Sequence, residues 1–237
     1  MILSSLVYKD LIASSEKNIK LLAVLIDPEK FIAEEAGQFF VNLPDTVTHI
    51  FVGGSTAEKG STEDTVQIIK NFTSLPVILF PGDHSQITEE ADAILFLSLI
   101  SGRNPEYLIE QQVRAVEKLK NTTLEIIPTG YILIDGGKEC AVERVSQTKP
   151  IPQDEIEKII NTALAGEFSG KKLIYLEAGS GAKFPVSQEI IRAVKKALSI
   201  PLVVGGGIRN SQQLIKAYNA GADMVVIGTA YEEGIVI

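Results

Sequence analysis

Along the chain, short continuous apolar runs alternate with longer stretches in which apolar residues recur at helical spacing. Eight runs stand out: "LLAVLID" from Leu21, "HIFVGG" from His49, "PVILFPG" from Pro76, "AILFLS" from Ala93, "LEIIPTGYILID" from Leu124, "LIYLEAG" from Leu173, "PLVVGGG" from Pro201 and "MVVIGTA" from Met224. Runs without polar alternation fit parallel strands buried on both faces. Eight strand–helix units in roughly 250 residues are the arithmetic of an α/β protein of the (β/α)8 TIM-barrel class, with a doubly wound open sheet as the alternative. No linker or shift in composition divides residues 1–237, so one domain is expected.

Two spacings break the pattern. "DHSQITEEAD", between the third and fourth strands, offers about ten residues, the bare minimum for a crossover, so the helix there is expected to be shortened or missing. After the eighth strand only "YEEGIVI" follows, too little for a closing helix. Either the N-terminal segment "LSSLVYKDLIASSEKN" covers that flank or the chain is cut short.

Composition narrows the possible partners. The 237 residues are 45% hydrophobic, with formal net charge −8 and a pI near 4.9. That charge argues against nucleic acid, whose phosphates call for a basic stripe, and leaves no polybasic patch for an anionic membrane. No apolar run approaches the ~18 residues of a membrane span, and the N-terminus lacks the form of a signal peptide. A cytoplasmic protein is expected. Cys140, the single cysteine, excludes an internal disulfide.

In a parallel barrel, chemistry gathers at the C-terminal ends of the strands. Those ends carry Asp27, then Gly53-Gly54-Ser55, then Glu177 followed by Ala178-Gly179-Ser180-Gly181. The last two strands end in Gly205-Gly206-Gly207 and Gly228-Thr229. The seventh leads into "IRNSQQLIKAYNAG", where Asn210 or Ser211 caps a helix. A glycine turn feeding a helix N-terminus suits an anion, because orphan amides and the helix dipole both face it. One "GGG" alone is a tight turn; three glycine-rich ends on consecutive strands favour phosphate.

Glu177, beside that phosphate position and on the same face as Tyr175, has the place of a general base for a substrate hydroxyl. Asp27 reads either as an N-cap or, with Ser55 as a second oxygen, as a ligand for Mg2+. His49 is expected to be structural, His84 a weak candidate for substrate contact, and Cys140 inert. Lys149, in the loop "SQTKPIP", is a candidate contact for a diphosphate.

The stretches "LIYLEAGSG", "VVGGGIR", "VIGTA", "LIDPEK", "FVGGS" and "VSQTKPIP" together resemble the geranylgeranylglyceryl phosphate synthase and heptaprenylglyceryl phosphate synthase family, in order from Leu21 to Ala230. The likeness is closest to the geranylgeranyl branch. It implies a Mg2+-dependent prenyltransferase of lipid biosynthesis. In it the 3-hydroxyl of sn-glycerol 1-phosphate attacks C1 of a polyprenyl diphosphate, geranylgeranyl diphosphate first among them, and releases diphosphate. By position, Tyr175, Leu176, Glu177, Ala178, Gly179, Ser180, Gly181, Gly206, Gly207, Gly228 and Thr229 would hold glycerol phosphate. Glu177 would take the proton, and Asp27 and Ser55 would hold the metal. Some members carry a lysine two residues before that aspartate, where this chain has Leu25. A homo-oligomer and passing contact with a membrane are further implications, and a gapped helical ring would leave room for the prenyl tail. The rival readings are a sugar-phosphate isomerase or aldolase, or a phosphate-binding barrel without catalysis. A Schiff-base aldolase wants a lysine within a strand, and no strand run has one.

Overall fold

The computed structural model describes residues 6–54 and 60–228. All eight expected runs become strands: β1 Leu21–Ile26, β2 His49–Val52, β3 Val77–Leu79, β4 Ala93–Leu99, β5 Glu125–Leu133, β6 Leu173–Glu177, β7 Leu202–Gly205 and β8 Met224–Ile227. Each pairs in parallel with its neighbour, and β8 returns to β1 with Leu21 opposite Met224. The sheet is a closed barrel, which decides against the open doubly wound alternative.

Alternation along each strand sorts side chains into two cores. Ala23, Phe51, Ile78, Leu95, Tyr175 and Val203 point inward and fill the barrel. Val24, Ile50, Leu79, Ile94, Leu176 and Val204 point outward against the helices. Runs buried on both faces are what a parallel barrel demands, and this is why they read as unbroken apolar stretches.

The outer helices are α2 Ala36–Val41, α3 Ser61–Phe72, α4 Gln111–Leu119, α5 Ala141–Ser146, α6 Ile156–Phe168, α7 Gln188–Ala197 and α8 Ser211–Ala220. Between β3 and β4 there is none, as the short spacing anticipated. Side chains carry that connection instead. Asp92 accepts from the Val77 amide at 2.7 Å and pairs with Lys70 at 2.6 Å. The buried Gln86 accepts from Gly82 N at 3.1 Å and donates to Gly54 O at 2.9 Å. Next in the chain, the segment leading into α4 is wound as a π-helical turn, Glu106–Glu110, a local underwinding that re-aims side chains.

The N-terminal helix α1, Leu6–Glu16, closes the barrel floor rather than the flank beyond β8. Val7 and Leu11 join the interior core. Its first amides, Val7 N and Tyr8 N, donate to the Glu125 carboxylate at 2.9 and 3.1 Å, a negative charge at the positive helix end. At its other end Ser15 donates to Asp223 at 2.8 Å. The segment "YEEGIVI" lies outside the described residues.

Asp223 is the floor's buried anchor. It also takes Lys195 Nζ at 2.6 Å and the Leu202 amide at 2.8 Å. Replacing it by alanine strands an amide and an ammonium near low-dielectric core, so Asp223→Ala is expected to cost about 2–4 kcal/mol, discounted because Lys195 reaches solvent. Urea denaturation measures this; a loss under about 1 kcal/mol would show that the floor does not depend on the cluster.

Candidate active site

β6 ends at Glu177: the Ala178 amide still donates to Gly205 O of β7 at 3.0 Å, and the chain turns away at Gly179, at φ +97°. Alternation puts Tyr175 and Glu177 on the inner face, while Leu176 and Ala178 turn their side chains into the outer core. Glu177 is only 6% exposed. A buried carboxylate needs donors, and two are supplied: the Gly179 amide donates to Oε1 at 2.6 Å, and the Tyr175 hydroxyl donates to the carboxylate. Burial dominates nonetheless and pushes the Glu177 pKa up to about 7, with both hydrogen bonds pulling the other way.

The neighbouring strand is shaped to let this carboxylate in. Gly206, at φ +83°, faces Glu177 so closely that a Cβ there would collide with Oε1 and with the amides of Gly179 and Ala178. Only glycine fits both the backbone conformation and the space. Ser180, Gly181, Gly206, Gly207 and Gly228 then line one cavity with Glu177 and Tyr175. Arg209 borders it too, donating to Ala182 O at 3.0 Å. As expected, Asn210 caps α8, its Oδ1 accepting from Gln213 N at 2.9 Å.

Across the mouth, Asp27 faces the same cavity, which measures about 410 Å³. Its backbone carbonyl accepts from the amides of Lys30 and Phe31, and Oδ1 accepts from Glu29 N at 3.1 Å. Oδ2 lies 3.7 Å from Lys30 Nζ, and a quarter of the side chain is exposed. The residue thus organises a turn rather than capping a helix, since the next helical turn, Ala33–Glu35, starts from Ile32, and it keeps carboxylate surface open to the cavity. Among the described residues no three His, Cys, Asp or Glu side chains converge as a metal cage. Ser55 and Thr229 lie outside the described residues.

From the mouth the cavity runs on between β4 and α4, past Ile87, Ile94, Phe96 and Ala115. Ile94 and Ala115 belong to the outer core, so the space leaves the barrel interior where the missing helix would have sealed it.

A model of the PcrB family matches residues 15–235. The chain belongs to that family. A geranylgeranylglyceryl phosphate synthase of Zunongwangia profunda is 67% identical, spanning 94% of this chain and 96% of the relative. One from Pyrococcus furiosus is 44% identical over 88% of this chain and 83% of its own length. The crystal structure of (S)-3-O-geranylgeranylglyceryl phosphate synthase from Thermoplasma acidophilum, in complex with its substrate sn-glycerol-1-phosphate, aligns with a TM-score of 0.87 at 35% identity. The alignment covers 95% of this chain and 91% of that one. The resemblance read from the motifs is borne out.

Other side chains of this PcrB-family barrel fall where sequence placed them less securely. His49 is buried, bonded through Nδ1 to Thr48 at 2.8 Å, and burial lowers its pKa to about 4, which suits a structural role. His84 does line the cavity, held through Nδ1 and its amide by Gln111 Oε1, both at 2.9 Å. Cys140 is buried against Gly179, and burial raises its thiol pKa, in keeping with an inert residue. Lys149 points outward to Glu143 at 2.8 Å and takes no part in lining the cavity. Its loop is tied to β5 by the Ile151–Ile134 bridge, which directs the lysine away.

Sequence reasoning passed over Phe80, Tyr131, Gln86 and Gln153. Gln153 spans three backbone positions in the loops after β5 and β6, donating to Asp135 O and Pro185 O and accepting from Ser187 N. A glutamine has no motif; the available signal was its place just after a strand-end loop.

The Glu177 environment makes stability depend on pH with a definite sign. The folded state holds the proton up to about pH 7, whereas an unfolded glutamate releases it near 4.5. Stability from this group is therefore complete below the lower value and is lost as pH rises through the higher one. His49 works oppositely in an overlapping window, so the difference between Glu177→Gln and the parent is the useful quantity. Urea denaturation at pH 5, 6, 7 and 8 should show that difference growing in favour of the variant. Parallel stability curves would mean that Glu177 is not held with a raised pKa.

Proposed function

We propose that this chain is a prenyltransferase that joins the 3-hydroxyl of sn-glycerol 1-phosphate to C1 of a prenyl diphosphate, geranylgeranyl diphosphate first, forming an ether and releasing diphosphate. The observation that carries this reading is one continuous cavity holding three unlike parts: glycine turns beside a buried carboxylate, an acid across the mouth, and an apolar extension through the gap in the helical ring. Few reactions need all three.

Gly181, Gly206, Gly207 and Gly228 approach a phosphate with backbone, which suits a protein of net charge −8 that cannot offer a basic patch. Glu177 then stands beside the glycerol hydroxyls. With its pKa near 7 it is ionised for a useful fraction of molecules at neutral pH and basic enough to accept the 3-hydroxyl proton as the new C–O bond forms. The glycine turns hold the acceptor oxygen in place, so the step has the advantage of proximity. A non-catalytic phosphate binder has no use for this carboxylate, which opposes a dianion.

Asp27 fits a Mg2+ ion that arrives with the diphosphate. A hard cation of this kind keeps waters and takes one or two carboxylates rather than a protein cage. Bound there, with Ser55 as the expected second ligand, Mg2+ would neutralise the leaving diphosphate. Lys30, at the same turn, adds a cation within reach of the same anion, and Leu25 leaves the position of the family's alternative lysine apolar.

The apolar extension suits the tail. At about 0.8 kcal/mol per buried methylene, a chain of some twenty carbons gains on the order of 10 kcal/mol before entropy costs. Self-association and passing contact with a membrane, where the product dissolves, belong to the same reading; Ile109, Val113 and Val116 leave apolar surface exposed on and beside α4. Among the described residues no helix is long and apolar enough to cross a membrane. A cytoplasmic site of action is part of the proposal.

Purified protein with sn-glycerol 1-phosphate, Mg2+ and prenyl diphosphates of increasing length should yield organic-extractable ether, with geranylgeranyl preferred. A preference for much longer chains would make it a heptaprenylglyceryl phosphate synthase, and no ether at any length would sink the reading. Glu177→Gln should keep sn-glycerol 1-phosphate binding yet lose about 10²-fold or more in turnover; unchanged turnover removes the base. Ala115→Phe, which fills the extension where it passes α4, should shift preference toward shorter prenyl chains by about 10-fold in kcat/KM. An unaltered length profile would place the tail elsewhere.

A further inference from the structure

A phosphate held at Gly181, Gly206 and Gly207 would stand beside the Glu177 carboxylate, in a protein of net charge −8. Backbone amides answer such a dianion with partial charges only. A full positive charge within a few ångströms is worth far more, and the site needs one. Among the described residues lining the cavity, two carry a lysine or arginine charge, and neither meets this need. Lys30 belongs to the opposite side of the mouth, 3.7 Å from Asp27 Oδ2. Arg209 is fixed on carbonyls of the β6 turn, donating to Ala182 O at 3.0 Å and to Gly181 O at 3.5 Å.

A third cation reaches the same turn from another loop. Lys138 follows β5, and its Nζ stands 3.7 Å from the point that a Cβ on Gly181 would occupy. Because residue 181 is a glycine, no side chain fills the space between this ammonium and the turn. The approach is built into the backbone. Asp135 Oδ1 accepts from Gly137 N at 2.8 Å, a side-chain turn that sets the direction of the chain just before Lys138. Gly136 O accepts from the Lys183 amide at 2.8 Å and so joins this loop to the one after β6. Both glycines are packed tight: a Cβ on Gly136 would strike Ala178 O, and one on Gly137 would strike the Phe184 ring. A surface lysine is most often a solvated charge. Here, however, no carboxylate among the described residues pairs with Lys138, and the neighbouring Glu139 acts on Lys149 instead.

We propose that Lys138 supplies the countercharge of the glycerol-phosphate site. Its ammonium neutralises one charge of the phosphate dianion at the Gly181 turn and offsets the repulsion from Glu177. This rests on the reading of these turns as the glycerol-phosphate site. The amides set the position of the phosphate, and Lys138 adds affinity for its charge. A lysine suits this division of labour, because a compact point charge on a flexible stem follows the anion in while keeping part of its own hydration.

The test is calorimetric titration of sn-glycerol 1-phosphate, without prenyl diphosphate, into the parent protein, Lys138→Met, Lys138→Arg and Lys183→Met. Lys138→Met keeps the stem and loses the charge. It should bind about 10-fold more weakly at about 50 mM salt, the deficit shrinking to about threefold or less at about 500 mM. Lys138→Arg should restore affinity to within about threefold of the parent. Lys183→Met removes an exposed charge from the neighbouring loop and should bind as the parent does. In ether formation with Mg2+, Lys138→Met should raise the KM for sn-glycerol 1-phosphate by the same factor, with kcat and the KM for geranylgeranyl diphosphate within about twofold. Equal affinity of Lys138→Met and the parent would overturn the proposal. So would an equal loss in Lys183→Met, which marks a general effect of surface charge, or a change confined to the KM for geranylgeranyl diphosphate, which puts the ammonium on the other substrate. A parent protein that binds no glycerol phosphate fails the underlying reading and takes this proposal with it, and the parent titration tells that failure from the others.

Discussion

The carboxylate at the end of β6 is buried against its preference for water, and the mouth of the barrel is organised around that conflict. Burial pushes the Glu177 pKa up, and hydrogen bonding to the charged form pulls it back down. The Gly179 amide and the Tyr175 hydroxyl set the compromise. Each donor has its own requirement in turn. The Gly179 amide points at Oε1 only because the chain turns sharply after Ala178, and that turn packs against Gly206, where any side chain would intrude. The glycine turn at Gly206 makes room for the carboxylate, and in the proposed reaction the same turns would approach the phosphate.

The architecture was legible because its signal is large. Eight unbroken aliphatic runs at regular spacing leave little choice but a parallel barrel, and the ten-residue gap between β3 and β4 is too short to hide a helix. The position of α1 was not legible, since an amphipathic segment before β1 satisfies the same pattern beside β8 or under the floor. What places it is Glu125, Asp223 and Lys195, residues far apart in sequence whose pairing no periodicity encodes.

The candidate site divides along the same line. Asp27, Glu177 and the glycines were readable because strand ends announce themselves, and alternation alone puts Tyr175 with Glu177. Of the stretch from Tyr175 to Gly181, alternation also decides which side chains face the cavity: Leu176 and Ala178 turn outward, as residues between two inward ones must. Phe80 and Tyr131 were missed because an aromatic residue in an apolar run looks like core, and by burial Tyr131 is core. Lys149 misled because a lone cation in a proline-flanked loop says nothing about the direction it points, and Glu143 had already claimed it.

The gap in the helical ring shows how a stable fold accommodates an opening. A missing helix exposes backbone and apolar strand surface, both costly, unless something else satisfies them. Here the polar part is met by side chains: Asp92 takes an amide of β3, Gln86 bridges the β2 and β3 ends, and Gln111 holds the His84 segment. The apolar part is left unmet on purpose of space, because Ile94 and Phe96 on the outer face of β4 gain a facing wall in α4 but not a filled interior. A π-helical turn at Glu106–Glu110 brings Tyr107 and Gln111 into that wall, where a regular helix would carry them past it. An apolar channel lined in this way leaves hydrocarbon surface unpacked, and the prenyl chain of the proposed reaction would complete the packing that a helix would otherwise have supplied.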